Sequence, residues 1–216
     1  MQDDFRHKGL RKKLVQSLRE QGIESKAVLE AIERVPRHLF LDKAFTEIAY
    51  ENRAFPIGKG QTISHPFTVA YQTQLLELKP GMTVLEIGTG SGYQAAVLSE
   101  MGVKVYSLER IQYLHEKTQK LLKGIGYTKI RCFHGDGFAG LPELAPYDRI
   151  LITAAAPEIP QGLLAQMAVG GMMVIPLGEM NVQKMLRIIR QDAHSFQQET
   201  FADFSFVPML RGMQQG

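Results

Sequence analysis

The chain predicts an α/β fold, doubly wound around a mostly parallel sheet, with a helical extension before the sheet and a strand pair after it. Three observations carry this. Short β-branched runs alternate with helix-length segments between residues 83 and 176, the pattern of right-handed β–α–β crossovers. The first 60 residues lack that alternation and carry apolar residues at helical spacing. The tail offers two strand-like segments with no helix between them. A length of 216 residues, 44% hydrophobic and 22% charged, suits one folded unit over 1–216. Within it, 1–60 is the extension, and 61–216 holds the core and closing strands.

In order, Leu10, Leu14, Val15 and Leu18 mark a first helix that Gly22 stops. Ser25 is an N-cap for a second helix carrying Val28, Ala31, Ile32 and Val35, which Pro36 ends. Residues 36–60, punctuated by Asn52, Pro56, Gly58 and Gly60, read as loop with one short strand. Pro66 suits the first position of a helix that Lys79-Pro80-Gly81 closes. Strands are then expected at 83–87, 103–108, 130–134, 148–153 and 172–176, with helices at 92–101, 111–123 and 160–168. Segments 184–190 and 200–207 form the closing pair across a polar turn at 191–198.

Composition removes several function classes. A single cysteine, Cys132, permits neither an internal disulfide nor a cysteine zinc site. No apolar run reaches the length of a membrane span, and none follows the charged start MQDDFRHKGLRKK, so a cytoplasmic protein without a signal peptide is expected. The net charge of +3 is concentrated in residues 1–26, with seven basic and four acidic side chains. That helix reads as a solvated face rather than a nucleic-acid contact, because no basic patch recurs. His7, His38, His115 and His194 lack ligand spacing and read as surface groups, and no metal site is expected.

The most informative stretch is Val84-Leu85-Glu86-Ile87-Gly88-Thr89-Gly90-Ser91-Gly92-Tyr93. A buried strand runs into alternating glycines and then a helix. Glycines let the backbone turn sharply and approach a ligand, and the helix start offers free N–H groups. The spacing is G-x-G-x-G, not the G-x-G-x-x-G of dinucleotide sites. Glu109 ends the second strand, where an acid can accept the two hydroxyls of a ribose. Asp136 ends the third, placed to accept from the amine of an adenine.

Three strand ends aligned on one edge resemble the Class I S-adenosylmethionine-dependent methyltransferases, with their Rossmann-like sheet. That resemblance places Gly88, Gly90 and Gly92 in the loop around the methionine part, Glu109 on the ribose and Asp136 near the adenine. A sulfonium nucleoside has no pyrophosphate and does not need the dinucleotide cradle. A second stretch, Gly60-Gln61-Thr62-Ile63-Ser64-His65-Pro66-Phe67, narrows the likeness. With His134-Gly135-Asp136-Gly137, Thr153-Ala154-Ala155-Ala156-Pro157 and the closing Phe206-Val207-Pro208-Met209, it resembles the protein-L-isoaspartate (D-aspartate) O-methyltransferase family over nearly the whole chain. His65 is one departure from that family's pattern.

The resemblance implies methyl transfer from S-adenosyl-L-methionine, with S-adenosyl-L-homocysteine as product, to the α-carboxylate of L-isoaspartyl residues in damaged proteins and peptides. The ester would then close to a succinimide and reopen in part as normal aspartate. A monomer is expected, and the charge and hydropathy patterns above lead to no nucleic-acid and no membrane partner. Thr62, Ile63, Glu86, Gly88, Thr89, Gly90, Gly92, Glu109, Asp136, Gly137 and Thr153 are the cofactor residues that the resemblance implies, with Thr62, Ile63 and Ser64 on a lid-like loop. Ser64 is the catalytic hydroxyl, and Ser64, His65, Val207 and Pro208 bind substrate.

Read physically, Ser64 lies at a predicted helix start, where its hydroxyl and the Phe67 and Thr68 N–H groups could hold a carboxylate. Such a carboxylate is ionised at neutral pH, so no general base is needed. Two rivals remain at this level: a nucleic-acid or small-molecule methyltransferase, and a binding module that keeps the pocket. Against the first, the fourth strand runs into Ala154-Ala155-Ala156-Pro157 rather than the Pro-Pro-aromatic loop of DNA amino-methyltransferases, and Cys132 sits inside a predicted strand.

Overall fold

The computed structural model describes residues 3–178 and 182–215. Two helices open the chain, α1 (Phe5–Glu20) and α2 (Lys26–Arg34). Asp4 and Ser25 cap them, their side chains accepting from the N–H groups of His7 and Val28. Leu14, Val15 and Leu18 of α1 and Val28, Leu29, Ala31 and Ile32 of α2 form the buried stripes.

Residues 36–60 are more ordered than the sequence suggested. Two 3-10 turns, Arg37–Phe40 and Lys43–Ile48, precede a hairpin of β1 (Phe55–Gly58) and β2 (Gln61–Ile63). Lys59 turns it at φ 53° between two glycines that also have positive φ. Those residues read as loop punctuation, which hid the flanking strands. Thr62 and Ile63 therefore lie in a strand, not a free loop.

From there the chain runs through α3 (Pro66–Leu75), β3 (Thr83–Ile87), α4 (Tyr93–Glu100), β4 (Lys104–Glu109), α5 (Gln112–Gly124), β5 (Arg131–His134) and β6 (Tyr147–Ile152). It closes with α6 (Gln161–Ala165), β7 (Met167–Leu177), β8 (Gln183–Arg190) and β9 (Phe196–Phe204). The described strands pair in the order β5-β4-β3-β6-β7-β8-β9. The first five are parallel, and β8 and β9 run antiparallel at one edge. Strand order reverses between β3 and β6, which opens a crevice beyond their carboxyl ends.

Two boundaries shift. The helix expected over 160–168 stops at Ala165, and β7 begins at Met167. Met167 pairs with Tyr147 and Met172 with Arg149, so residues 168–171 bulge out, with Gly170 at φ 76°. The last strand is Phe196–Phe204, not 200–207. Asp192 shortens the turn by accepting from the N–H groups of His194 and Ser195. The polar residues of β9 face solvent, as an edge strand permits.

Alternation along β3 and β6 divides the interior. Val84 and Leu151 join one apolar cluster with α1 to α5; Leu85, Ile150 and Ile152 join a second under α6 and the irregular segments around Phe138 and Met209. The winding is thus lopsided, with most helices on one face. The histidine reading needs correction. His38 is fully buried; its ring stacks on that of His7 at 3.8 Å, and its Nδ1 lies 2.7 Å from the Tyr50 hydroxyl. Arg11, from the basic lead helix, is also buried, bonded to Asp3 and Tyr50.

Because Leu18 of α1 and Leu151 of the sheet share one cluster, the extension is expected to unfold with the core. Leu18→Ala and Leu151→Ala should each lower the unfolding free energy, read from a single urea transition, by about 2–5 kcal/mol. A separate early transition in Leu18→Ala, seen by far-UV circular dichroism, would contradict this.

Candidate active site

The crevice lies where β3, β4 and β6 end, between the hairpin strand β2 and the tail after β9. It encloses about 860 Å³, counted to its open mouth. The glycine turn forms its floor. Gly88 sits at φ 97°, and a Cβ there would meet Thr153 Oγ1 at 2.5 Å. The Thr153 hydroxyl spans the turn, at 2.9 Å from Ile87 O and 2.8 Å from Gly88 O, and donates to them. A side chain at position 88 would therefore displace the strand-to-strand contact that sets the floor.

Gly90 holds φ 52°, and its N–H donates to Glu109 Oε2 at 2.9 Å. The other carboxylate oxygen accepts from Ile111 N–H at 2.9 Å. Glu109 is thus buried and fixed by backbone donors before any ligand arrives, with lone pairs left toward the crevice it lines.

Opposite the glycine turn stand Thr62, Ile63 and Ser64. The Ser64 carbonyl is held at 2.8 Å by the guanidinium of Arg37, which also donates to Ala49 O and Arg53 O. Arg37 is fully buried and packs over the Tyr93 ring at 4.8 Å. Sequence reasoning missed Arg37 entirely, since a lone arginine before an apolar run carries no signal of burial.

The tail supplies the last wall. Ala155 N–H donates to Val207 O and Met209 N–H to Ala155 O, so Val207, Pro208 and Met209 run beside the end of β6. Further on, Gly212 N–H donates to Asp136 Oδ2, and Gln214 bridges to Arg110 and Gln112.

Of the residues singled out by sequence, Thr62, Ile63, Ser64, Gly88, Thr89, Gly90, Glu109, Gly137, Thr153, Val207 and Pro208 line this one crevice. Four are not on its wall. Gly92 is the left-handed N-cap of α4, where a Cβ would strike Thr118 of α5, so it serves packing. Asp136 gives its two oxygens to the Phe138 and Gly212 N–H groups, and Gly137 beside it does the lining. His65 is exposed and caps α3 without a side-chain bond. Glu86 is buried beneath the floor. The carboxylate cradle expected at the start of α3 is also altered: the Phe67 N–H donates to Asn52 Oδ1 at 3.0 Å. Arg110, Ile111, Met209 and Gln94 line the crevice as well.

Residues 9–214 match the family model for protein-L-isoaspartate (D-aspartate) O-methyltransferase. The chain belongs to that family. A protein-L-isoaspartate O-methyltransferase from Cytophaga hutchinsonii is 57% identical over 97% of this chain and 95% of its own length. The Flavobacterium psychrophilum enzyme is 54% identical over 97% and 98%. A solved protein-L-isoaspartate O-methyltransferase superposes with a TM-score of 0.84 at 28% identity, over 92% of this chain and 65% of that one. A Plasmodium falciparum protein of the same enzyme type, solved with S-adenosyl-L-homocysteine, gives 0.82 at 25% identity over 93% and 98%. The chain is accordingly an S-adenosylmethionine-dependent methyltransferase. Its crevice fits such a nucleoside: a rigid acid stands at the β4 tip, and glycines at 88, 90 and 137 keep the floor low.

Beneath the floor of this methyltransferase a polar chain runs inward. Thr89 Oγ1 lies 2.6 Å from Ser107 Oγ, and the Ser107 hydroxyl donates to Glu86 Oε2. Burial pushes the Glu86 carboxyl up to about 8, against the pull of that hydrogen bond, and the Glu109 charge adds to the rise. Glu86 is then largely neutral at pH 7. A carboxyl raised from 4.5 to about 8 on folding favours the folded state fully below the lower value. That advantage shrinks as pH climbs from the lower value and is gone once pH has passed the upper one. The urea midpoint of the unliganded protein should therefore fall between about pH 4.5 and about pH 8 and level off above that, and Glu86→Gln should flatten the fall. An equal fall in both proteins would disprove the assignment.

Proposed function

We propose that this crevice methylates the α-carboxylate of L-isoaspartyl residues, with Ser64 as the group that positions that carboxylate. The observation that carries the reading is the placement of Ser64 across one crevice from the glycine turn and Glu109. Bound there, S-adenosylmethionine supplies an electrophilic methyl on a positively charged sulfur. The protein's share is placement. Glu109, already oriented by Gly90 and Ile111 N–H groups, accepts the ribose hydroxyls. Thr89, Gly90, Gly137 and Thr153 shape the floor, while Thr62 and Ile63 cover it from the hairpin. Gly92 and Glu86 act from behind that floor. Asp136, held by the Phe138 and Gly212 N–H groups, stands behind Gly137 near the adenine end and also pins the tail.

On the acceptor side, the carboxylate is ionised at neutral pH, so no side chain need remove a proton. Ser64 has only to donate a hydrogen bond that fixes one carboxylate oxygen; alignment supplies most of the rate. Val207 and Pro208 offer a wall for the peptide around the damaged residue, with His65 exposed at its rim. Product ester then leaves and closes to succinimide in solution. The basic lead helix is not free for nucleic acid along its whole face: Arg6 pairs with Glu47, and Arg11 with Asp3. No helix among the described residues is long and apolar enough to cross a membrane.

The direct test supplies labelled S-adenosylmethionine with an isoaspartyl peptide and its aspartyl twin. Base-labile label on the isoaspartyl peptide alone is expected; equal label on both would refute the reading. Ser64→Ala should lower kcat by about tenfold while leaving S-adenosyl-L-homocysteine affinity within about twofold. Glu109→Ala should do the reverse, weakening that affinity by the loss of charge-assisted bonds worth about 1.5–3 kcal/mol each. Calorimetry and steady-state kinetics on the same preparations distinguish the two.

A further inference from the structure

Ser64 lies at the corner between β2 and α3, and no hydrogen bond among the described residues holds its hydroxyl. Its place in the crevice is therefore inherited from its backbone. Two side chains of the extension hold that backbone. Arg37 donates to Ser64 O at 2.8 Å, and the same nitrogen reaches Arg53 O at 3.3 Å. Its guanidinium lies 4.8 Å from the centre of the Tyr93 ring, and Tyr93 lines the crevice just past the glycine turn. One buried group thus touches the acceptor side and the donor side. Asn52 holds the far end of the corner. His65, the N-cap of α3, makes no side-chain bond, and Pro66 has no N–H to offer. The next N–H is that of Phe67, and Asn52 Oδ1 accepts it at 3.0 Å. Asn52 Nδ2 donates to Gln21 Oε1 at 3.0 Å. Because the Phe67 N–H can only donate, the Asn52 amide has one orientation.

We propose that Arg37 and Asn52 are positioning residues for methyl transfer, a two-point clamp that sets Ser64 against the donor side of the crevice. This rests on the reading of Ser64 given above. When the acceptor carboxylate is already ionised, alignment is the protein's main lever, and a displacement of about 1 Å can cost on the order of 100-fold in rate. Arg37 fixes the depth at which Ser64 stands, because its own plane is seated on Tyr93. Asn52 fixes the direction in which the corner turns into α3. Neither side chain lines the crevice; both act through Ser64. A lysine at position 37 keeps the charge but not the planar fork that reaches Ala49 O, Arg53 O and Ser64 O together.

The test is a pair of double-mutant cycles on the whole protein, read as kcat on the isoaspartyl peptide beside S-adenosyl-L-homocysteine affinity by calorimetry. Asn52 is exposed, so Asn52→Ala should fold as the wild type does. Its kcat should drop by about fivefold, with that affinity held within about twofold. Asn52→Asp, which keeps an acceptor for the Phe67 N–H, should return kcat to within about twofold of wild type. Arg37→Lys should lower kcat by about tenfold or more. On a Ser64→Ala background, Asn52→Ala and Arg37→Lys should each lose less than about twofold further. The same loss with and without the Ser64 hydroxyl overturns the proposal and makes both residues packing elements. So does a wild-type kcat in Asn52→Ala, a parallel fall in S-adenosyl-L-homocysteine affinity, or an Asn52→Asp protein as slow as Asn52→Ala. Arg37 is fully buried; should Arg37→Lys fail to fold, the Asn52 cycle decides alone. An unchanged kcat in Ser64→Ala itself would instead remove the reading of Ser64, and the clamp with it.

Discussion

A single buried guanidinium joins the parts of this molecule that act together. Arg37 sits at the end of the helical extension, yet its hydrogen bonds go to Ala49 O, Arg53 O and Ser64 O, and its plane lies against Tyr93 at the start of α4. Taking the cation out of water is unfavourable, and burial lowers its proton affinity to about 10. What offsets the cost is geometry: carbonyls from three separated segments converge on one planar donor. The extension, the hairpin and the glycine turn thereby share one fixed point. Without it, Ser64 would ride on a connection between β2 and α3 with little else to set its height above the floor.

That linkage explains what could be read from the sequence and what could not. The strand-to-helix rhythm from Thr83 onward declares itself, because each strand is a short apolar run closed by glycine or proline. The crevice follows from it, since a reversal of strand order beside β3 opens one by topology alone. The glycine turn, Glu109 and Ser64 were legible for the same reason: each stands at an element boundary, where residue type and position coincide. Arg37 and the burial of His38 were not. Each of these residues is polar and sits in a helical segment, with a role that depends on contacts far along the chain, and local pattern holds no trace of those. Asp136 illustrates a subtler limit. Its place just past the β5 tip follows from the strand pattern, but sequence does not show that the Phe138 and Gly212 N–H groups hold its two oxygens.

The site also shows how a polar floor is kept in an apolar sheet. Glu86 lies in the centre of the parallel strands, one bond from Ser107 and two from Thr89. As a neutral carboxyl it leaves little charge on its unpartnered oxygen. As an anion it would sit close to Glu109. The threonine and serine hydroxyls therefore connect a surface that meets ligand to a group whose charge is restrained by the core.

The strap formed by Val207 to Gln214 has a consequence for biosynthesis. It pins Ala155, Asp136 and Arg110 from outside, and Met209 closes against Gly137. The residues that seal the nucleoside end are thus made about 120 positions after the glycine turn. While still tethered to the ribosome, a growing chain can pair its parallel strands but lacks a finished chamber. Competence arrives only after these residues have been made, and a chain that has just the glycine turn does not sequester the nucleoside meant for finished molecules.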